Sequence, residues 1–342
     1  MAELQERDIP YNFVFSGQHK KTIEELLDNF GIKKPDTILY SGSEVTSILG
    51  MLRWMSKLLV TKRSVLSHIW KGDDQGIVVN HGDTMSTLIG TLLARKQGLK
   101  TAHLEAGLRS YNLFHPFPEE LIRIVVSALS GIFFAPNQWA YDNIRNNGKR
   151  EIINTHYNTL IDALNSPNRK TSNSIKTPVK YVLVSIHRFE NIFSKRRLTH
   201  ILNCLNEVSN RIDLVFVLHE PTREKLQQSN LFNHLKKNNR ITLIDRQDYF
   251  NFIHLLEKSE FLITDGGSNQ EECYYLGKPC LIMRKKTERK EGLGENAVLS
   301  EYDLNKILHF TENYSTYRRP QIHPDATPSA LVCQKLIPYS GP

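Results

Sequence analysis

The chain has 342 residues and a formal net charge of +8, with 40% hydrophobic and 23% charged residues. This composition is typical of a soluble globular protein, and the length predicts two domains of roughly 150 residues each. No apolar run approaches the ~18 residues of a membrane span, and the polar start MAELQERDIP is unlike a signal peptide, which favours a cytoplasmic protein.

The fold class follows from the order of the predicted elements. Short apolar runs predict the strands YNFVFS, GIVVNHG, KTAHLEA, GIFFAP and EIINTH in the first half, and KYVLVSIH, IDLVFVLH, ITLID, FLITDGG and CLIMR in the second. Helical patterns such as TMSTLIGTLLARKQG and NQEECYYLG lie between them. This alternation is typical of parallel strands covered on both faces by helices. The sequence therefore predicts an α/β fold with two Rossmann-like domains facing a central cleft, 1–165 and 166–319, joined by the polar linker NSPNRKTSNSIKTP.

The cysteines and the basic residues narrow the function further. The four cysteines, Cys204, Cys273, Cys280 and Cys333, form no C-x-x-C pair, so neither a zinc site nor a disulfide framework is expected. Lysine and arginine are dispersed without an aromatic-interleaved stripe, which argues against nucleic acid as the partner. An anionic small molecule such as a nucleotide sugar accounts better for the positive charge.

Polar side chains cluster where predicted strands end. They are His81, Asp83, Glu105, His187, His219 and Asp265. In open α/β sheets, ligands bind outside the carboxyl ends of the strands. We therefore expect these residues to line the binding cleft.

The segment TDGGSNQEECYYLGKP predicts a strand, a tight turn at 266–268, and a helix capped near Gly277. Free backbone N–H groups at such a helix start suit phosphate. Glu271 and Glu272 are expected in the first helical turn, where one could bond ribose hydroxyls. The alternative is that Asp265 is an ordinary turn residue and the glutamates favour the helix dipole.

Other polar motifs also have structural alternatives. In VSIHRFEN, His187 follows a buried strand and could be a hydrogen-bonded turn histidine. In HGDT, Asp83 stands at a helix start and could be its N-cap.

Two Glu-to-Arg pairs flank the loop YNLFHPFP. Glu105 and Arg109, like Glu119 and Arg123, have the i,i+4 spacing of surface helix salt bridges. For the second pair this interpretation is strong, because a helix is predicted to begin at Pro118. For the first it is weaker, because a glycine two residues after Glu105 argues against a helix.

A series of ordered segments together resembles the non-hydrolysing UDP-N-acetylglucosamine 2-epimerase family. They are SGQH (16–19), HGDT (81–84), HLEAGLR (103–109), FPEELIR (117–123), NTLIDAL (158–164), HRFEN (187–191), QDYFNF (247–252), DGGSNQEE (265–272), LGKP (276–279) and RKKTERKEG (284–292). The resemblance implies a GT-B architecture with the nucleotide sugar in the cleft. It also implies that the C-terminal segment 320–342 packs back on the first domain.

The resemblance implies inversion of C2 of UDP-GlcNAc to give UDP-ManNAc, by elimination and re-addition of UDP, for bacterial surface polysaccharides. It implies no metal or other cofactor, and a homodimer. The implied acid–base residues are Asp83, Glu105, Glu119 and His187. The resemblance therefore favours the reaction centre over surface salt bridges for Glu105 and Glu119. The loop YNLFHPFP is then predicted to set their separation, with Arg123 behind them. The implied substrate-binding residues are Arg123, Gly266, Gly267, Ser268, Glu272 and Arg289. The residues that match a possible allosteric site are Gln18, His19, Arg188 and His219.

The chain also departs from the family pattern. Members begin with a strand and a Gly-Thr-Arg-Pro-Glu loop, whereas MAELQE matches the helix that follows, so the first strand is expected to be missing and two strand edges to be exposed. Either the native chain is longer, or it is a truncated nucleotide-sugar-binding protein with impaired activity. DGGS stands where the family usually has DSGG. The basic segment RKKTERK suits a more acidic substrate, which keeps a UDP-2,3-diacetamido-glucuronate 2-epimerase as an alternative, beside a hydrolysing 2-epimerase.

Overall fold

The computed structural model describes residues 1–18, 20–42, 48–113, 118–146, 148, 150–167, 169 and 175–339. Its strands are β1 (Val14–Phe15), β2 (Thr37–Ile38), β3 (Ile77–His81), β4 (Lys100–Leu104), β5 (Ile132–Ala135), β6 (Glu151–Asn154), β7 (Tyr181–Ser185), β8 (Asp213–Leu218), β9 (Ile241–Asp245), β10 (Leu262–Thr264), β11 (Cys280–Ile282) and β12 (Ala297–Leu299).

The helices alternate with these strands along the chain. They are α1 (Ala2–Glu6), α2 (Lys20–Phe30), α3 (Ile48–Leu59), α4 (Arg63–Ile69), α5 (Met85–Gln97), α6 (Glu119–Leu129), α7 (Gln138–Ile144), α8 (Leu160–Leu164), α9 (Phe189–Ile192), α10 (Lys195–Ser209), α11 (Glu220–Gln228), α12 (Leu231–Lys236), α13 (Tyr249–Lys258), α14 (Gly267–Tyr275), α15 (Leu304–Asn313) and α16 (Pro328–Leu336). Short 3-10 helices span Tyr314–Tyr317 and Ile337–Tyr339.

The chain divides into two compact units. The N-terminal unit comprises Met1–Asn168 and Asp325–Pro342, and the C-terminal unit comprises Arg169–Pro324. In the N-terminal unit, Val332 and Leu336 of α16 pack against the sheet residues Ala102, Ile132 and Phe134. The domain boundaries expected from the sequence, after 165 and after 319, stay a prediction about which segments fold independently.

The C-terminal unit contains a six-stranded parallel sheet with the order β12-β11-β10-β7-β8-β9. Its central strands are buried on both faces, as in Tyr181–Ser185, where every residue is buried. Helices on both faces require such continuous apolar strands. The predicted parallel α/β organisation is confirmed. Two strands were not predicted from the sequence: β12 and, in the other unit, β2.

The N-terminal unit contains a parallel sheet of order β3-β4-β5-β6 and a separate two-stranded parallel sheet, β1-β2. Within the described residues, β3 lies at the edge of its sheet and β1 pairs only with β2. Val79 of β3 is 41% exposed, in contrast to the fully buried Ile132–Ala135 strand. Within the described residues, β3 therefore has an open edge; that a first strand is missing stays a prediction.

The topology explains where the polar residues collect. Parallel strands present their carboxyl ends at one edge of a sheet. In the N-terminal unit, Asp83 follows β3 and Glu105 follows β4; in the C-terminal unit, His187 follows β7 and Asp265 follows β10. In the part of the chain that the structure describes, no helix is both long and apolar enough to span a membrane.

Candidate active site

The turn after β10 forms the start of α14. Gly266 is the N-cap in an extended conformation, and the helix begins at Gly267. Among the described residues, the backbone N–H groups of residues 267–269 have no hydrogen-bond acceptor, as expected in the first turn of a helix. The prediction that Glu271 and Glu272 occupy the first turn is wrong, because the helix begins early enough to place them in the second. Gly277 follows the helix with φ +64, which confirms its predicted capping role.

Two arginines and a histidine lie beside this helix start. A Cβ atom built on Gly267 would lie 3.4 Å from Arg289 Cγ and 3.6 Å from Arg188 Nη2. A Cβ atom on Gly266 would lie 2.9 Å from His187 Cε1. Free N–H groups, a helix N-terminus and two guanidinium groups form a site suited to a diphosphate.

Buried carboxylates hold both arginines in place. Glu288 accepts from Arg188 Nη2 at 2.8 Å and from Arg284 Nη1 at 3.0 Å. Glu271 lies 2.7 Å from Arg289 Nη1 and is fully buried. Burial alone would raise the pKa of Glu288, but its two arginines lower that pKa to about 2. Because the carboxylates already hold the arginine side chains in place, an anion that binds here does not pay the entropic cost of immobilising them.

Asp265 connects the turn after β10, at residues 266–268, to the turn after β7. Its carboxylate is fully buried and accepts from the backbone N–H groups of His187 at 2.9 Å and Arg188 at 3.0 Å. It also accepts from Asn191 Nδ2 at 2.8 Å. Asp265 is therefore more than the turn residue considered from sequence, because it sets the position of two side chains at the anion site.

His187 packs against a second histidine. Its ring centroid lies 4.6 Å from that of His219, and its Nδ1 atom lies 3.6 Å from an Asp265 oxygen. Burial lowers the pKa of His187. Burial, the neighbouring His187 and Arg246 lower the pKa of His219 to about 4. Both rings are therefore neutral at pH 7, and a neutral imidazole can accept a proton as a base and donate a hydrogen bond through its N–H group.

Glu272 lies on the same helix and is 3% exposed. Its carboxylate accepts from Asn269 Nδ2 at 2.9 Å. Burial raises the pKa of Glu272 to about 7. Hydrogen bonds from hydroxyl groups stabilise a carboxyl group that is this poorly solvated, and a ribose carries such hydroxyl groups.

In the N-terminal unit, Asp83 accepts from Arg123 through Nε at 2.9 Å and also through Nη2. Asp83 is not the N-cap of α5, since Thr84 takes that role by accepting from the Thr87 backbone N–H. The alternative of a surface salt bridge between Glu119 and Arg123 is wrong as well. Arg123 is 7% exposed and pairs with Asp83 instead.

Glu105 adopts a left-handed backbone conformation, with φ +61. Its carboxylate accepts from Asn158 Nδ2 at 2.9 Å and lies 3.9 Å from His81 Nδ1. Arg109, its partner in the surface alternative, lies 2.6 Å from Glu120 instead. A positive φ at a non-glycine residue is costly and is found preferentially at functional sites.

The side chain of Glu119 is half-buried at the start of α6. Its Oε2 atom is buried and has no hydrogen-bond partner among the described residues. An unpaired buried carboxylate oxygen is unusual outside functional sites. Residues 114–117 of the loop between Glu105 and Glu119, which was predicted to set their separation, lie outside the described residues.

The profile of the family described as UDP-N-acetylglucosamine 2-epimerase matches residues 2–325. The chain belongs to the UDP-N-acetylglucosamine 2-epimerase family. It is 33% identical over 300 residues to the UDP-N-acetylglucosamine 2-epimerase of Methanococcus maripaludis, and the aligned region covers 83% of this chain and 78% of that relative. This match confirms the resemblance seen in the sequence and assigns the chain to a family of isomerases.

Solved structures of relatives support the same assignment. The UDP-GlcNAc 2-epimerase of Methanocaldococcus jannaschii in complex with UDP-GlcNAc and UDP has a TM-score of 0.83 and 27% identity, over 98% of this chain and 94% of that chain. The UDP-GlcNAc 2-epimerase of Neisseria meningitidis bound to UDP-GlcNAc has a TM-score of 0.79 and 27% identity, over 94% of this chain and 90% of that chain.

Within this epimerase-family chain, the predicted site residues fall into two groups. Asp83, Glu105, Glu119 and Arg123 lie in the N-terminal unit, and His187, Gly266, Gly267, Ser268, Glu272 and Arg289 lie in the C-terminal unit. The first group contains the direct Asp83–Arg123 ion pair, and the second is arranged around the start of α14. Their catalytic and binding roles stay predictions.

The residues matched to an allosteric site of the epimerase family are also distributed over both units. Gln18 accepts from Ser86 Oγ at 2.8 Å in the N-terminal unit, and His19 lies outside the described residues. Arg188 is beside Gly267 and His219 contacts His187, so both lie at the anion site. Regulation through these residues stays a prediction.

Sequence reasoning missed several residues that support this epimerase-family site. They are Glu120, Asn158 and Glu288. Each stands inside a motif that carried the resemblance, PEE, NTLIDAL or TER, which is the signal that could have identified it. Among the described residues, no group of three or more His, Cys, Asp or Glu side chains could hold a metal ion.

Proposed function

We propose that this chain interconverts UDP-GlcNAc and UDP-ManNAc by eliminating UDP and adding it back. The observation that carries the proposal is the start of α14, where free N–H groups at 267–269 adjoin the guanidinium groups of Arg188 and Arg289. A nucleoside diphosphate is the leaving group that such a site stabilises. The relatives whose structures contain UDP-GlcNAc or UDP support this choice of ligand.

The reaction requires bond changes at C1 and C2 of the sugar. A base removes the C2 proton, the C1–O bond to the diphosphate breaks, and the electron pair leaves with UDP to give a 2-acetamidoglucal. UDP oxygen then adds back to C1 while an acid delivers a proton to the opposite face of C2. The cationic anion site stabilises the charge of the departing diphosphate. The acid–base candidates are Asp83, Glu105, Glu119 and His187.

Glu272 has a distinct part in the proposal. Its buried carboxyl, with a pKa near 7, follows the phosphate turn by one helical turn. Acidic residues of nucleotide-binding folds bond ribose hydroxyls. We therefore assign Glu272 to the ribose and the start of α14 to the diphosphate.

The test is incubation of the purified protein with UDP-GlcNAc in D2O, followed by NMR. We expect UDP-ManNAc with deuterium at C2, and C2 deuterium in the recovered UDP-GlcNAc. Free ManNAc with UDP would instead identify a hydrolysing enzyme. Binding of UDP-GlcNAc without deuterium incorporation would refute the proposed reaction.

The proposal extends to the setting of the enzyme. The four cysteines are free and buried, which fits a reducing cytoplasm. Family membership favours a homodimer, and light scattering coupled to size-exclusion chromatography tests it. A monomer mass at micromolar concentration would contradict the dimer.

A further inference from the structure

Glu120 is a buried carboxylate in the N-terminal unit for which neither the sequence nor the proposed chemistry has a role. It is the second residue of α6, directly after Glu119, and is 0% exposed. A buried carboxylate is costly unless several donors compensate its charge. Its contacts therefore indicate what it does.

Glu120 receives one backbone donor and two arginines. Oε1 accepts from Arg109 Nε at 2.6 Å, and Oε2 accepts from the Ser110 backbone N–H at 2.8 Å. Oε2 also accepts from Arg123 Nη1 at 3.3 Å. The carboxylate thus fastens the loop after β4 to the start of α6.

Arg123 connects Glu120 to the acid–base candidate Asp83. Its Nη1 group faces Glu120, while its Nε and Nη2 groups face one Asp83 oxygen. A guanidinium group is planar and its donors point in fixed directions. Because one edge of the group is engaged by Glu120, the opposite edge has a defined direction toward Asp83.

We propose that Glu120 is a positioning residue, which orients Arg123 and, through Arg123, the carboxylate of Asp83. The inference rests on the proposed function, in which Asp83 is an acid–base candidate. Displacement of a reacting group by about 1 Å costs up to about 100-fold in rate. Loss of Glu120 therefore affects turnover more than binding of the nucleotide, whose proposed site is in the other unit.

The chain contains a matched control for the purely structural role of such a carboxylate. Asp36, also in the N-terminal unit, accepts from Lys33 Nζ at 2.7 Å, from Lys71 Nζ at 2.8 Å and from the Phe13 backbone N–H at 2.7 Å. It therefore has the same set of partners, two cations and one backbone N–H. None of these three partners belongs to the cluster of Glu120, Arg123 and Asp83.

The experiment compares Glu120→Gln with Asp36→Asn in the D2O assay and in UDP binding by calorimetry. We expect Glu120→Gln to lower kcat about 10- to 100-fold while KM and the Kd of UDP change less than about threefold. Asp36→Asn should keep the wild-type kcat. Wild-type kcat in folded Glu120→Gln, an equal loss of kcat in Asp36→Asn, or a parallel loss of UDP affinity would overturn the proposal.

A second variant covers the case in which Glu120→Gln does not fold. Arg109→Gln removes one donor from Glu120 at a side chain that is 29% exposed, and should lower kcat with unchanged UDP affinity. Unchanged kcat in that variant would overturn the proposal. If the wild-type protein incorporates no deuterium at C2, the proposed function fails. The positioning role is then decided by a crystal structure of Glu120→Gln or, if that variant does not fold, of Arg109→Gln. An Arg123–Asp83 contact that persists without an intact Glu120 cluster would overturn it, and a released Arg123 would support it.

Discussion

Replacement of Gly266 by alanine tests the close packing at the anion site. Gly266 has φ −81 and ψ 132, so alanine can adopt its backbone conformation without strain. The added methyl carbon, however, would lie 2.8 Å from Asn269 Oδ1 and 2.9 Å from His187 Cε1. Both distances are well below ordinary van der Waals contact, so both side chains must move to accommodate the methyl group.

The magnitude follows from the cost of overpacking, which is about 1–3 kcal/mol for an inserted methyl group. A domain of roughly 150 residues loses about 2–4 °C of Tm per kcal/mol. We therefore expect Gly266→Ala to lower the Tm of the C-terminal unit by about 2–12 °C. Turnover should fall as well, because the methyl group displaces the His187 ring.

Gly267→Ala is the matched control for stability. Its methyl carbon would meet nothing closer than Arg289 Cγ at 3.4 Å, and Gly267 is the first residue of α14. Alanine forms helices better than glycine by up to about 1 kcal/mol, so this variant should be as stable as the wild type. Thermal unfolding followed by circular dichroism measures both proteins. Equal Tm values for the two alanine variants would refute the reasoning from close contacts.

Three further predictions follow from the site. Asn158→Ala removes the 2.9 Å donor to Glu105 and should lower kcat about 10-fold with the Kd of UDP unchanged, measured by the D2O assay and calorimetry; unchanged kcat would exclude a role for this contact. Asp265→Asn places an N–H₂ group where three N–H donors converge. We therefore expect urea denaturation to show a free energy of unfolding about 2–4 kcal/mol lower than that of the wild type, and a decrease below about 1 kcal/mol would contradict the charge-assisted bonding. Relative to wild type, the free energy of unfolding of Glu272→Gln should rise by about 3 kcal/mol between pH 4.5 and pH 8. Burial raises the pKa of Glu272 to about 7, so its contribution stabilises the fold at low pH and is lost as the pH rises through about 7. A pH-independent difference in urea unfolding would refute this.

The local features of the site were predictable from the sequence. Short apolar runs ending in polar residues predicted the strands, and the glycines after β10 predicted the helix start that now lies beside Arg188 and Arg289. These predictions held because strand length, glycine turns and helix caps depend on neighbouring residues. The position of the glutamates on α14 was wrong by one helical turn, since the helix begins immediately after its glycine N-cap.

The ion pairs show where local reasoning failed. Spacing of four residues predicts that Glu119 pairs with Arg123, and on an exposed helix that pair would be reasonable. Arg123 is buried, however, and a buried guanidinium group requires the carboxylates that the fold brings to it. Those are Asp83, from a turn 40 positions away, and Glu120, from the adjacent turn of the helix.

The sequence by itself determined the parallel α/β organisation, the family and the residue types at the strand ends, because each depends on local pattern and on motif order. The tertiary structure decided which carboxylate faces which arginine, which histidines are in contact, and how far burial raises the pKa of Glu272. Those properties depend on contacts between segments distant in the chain and on exclusion of water. Neither can be obtained from spacing along the sequence.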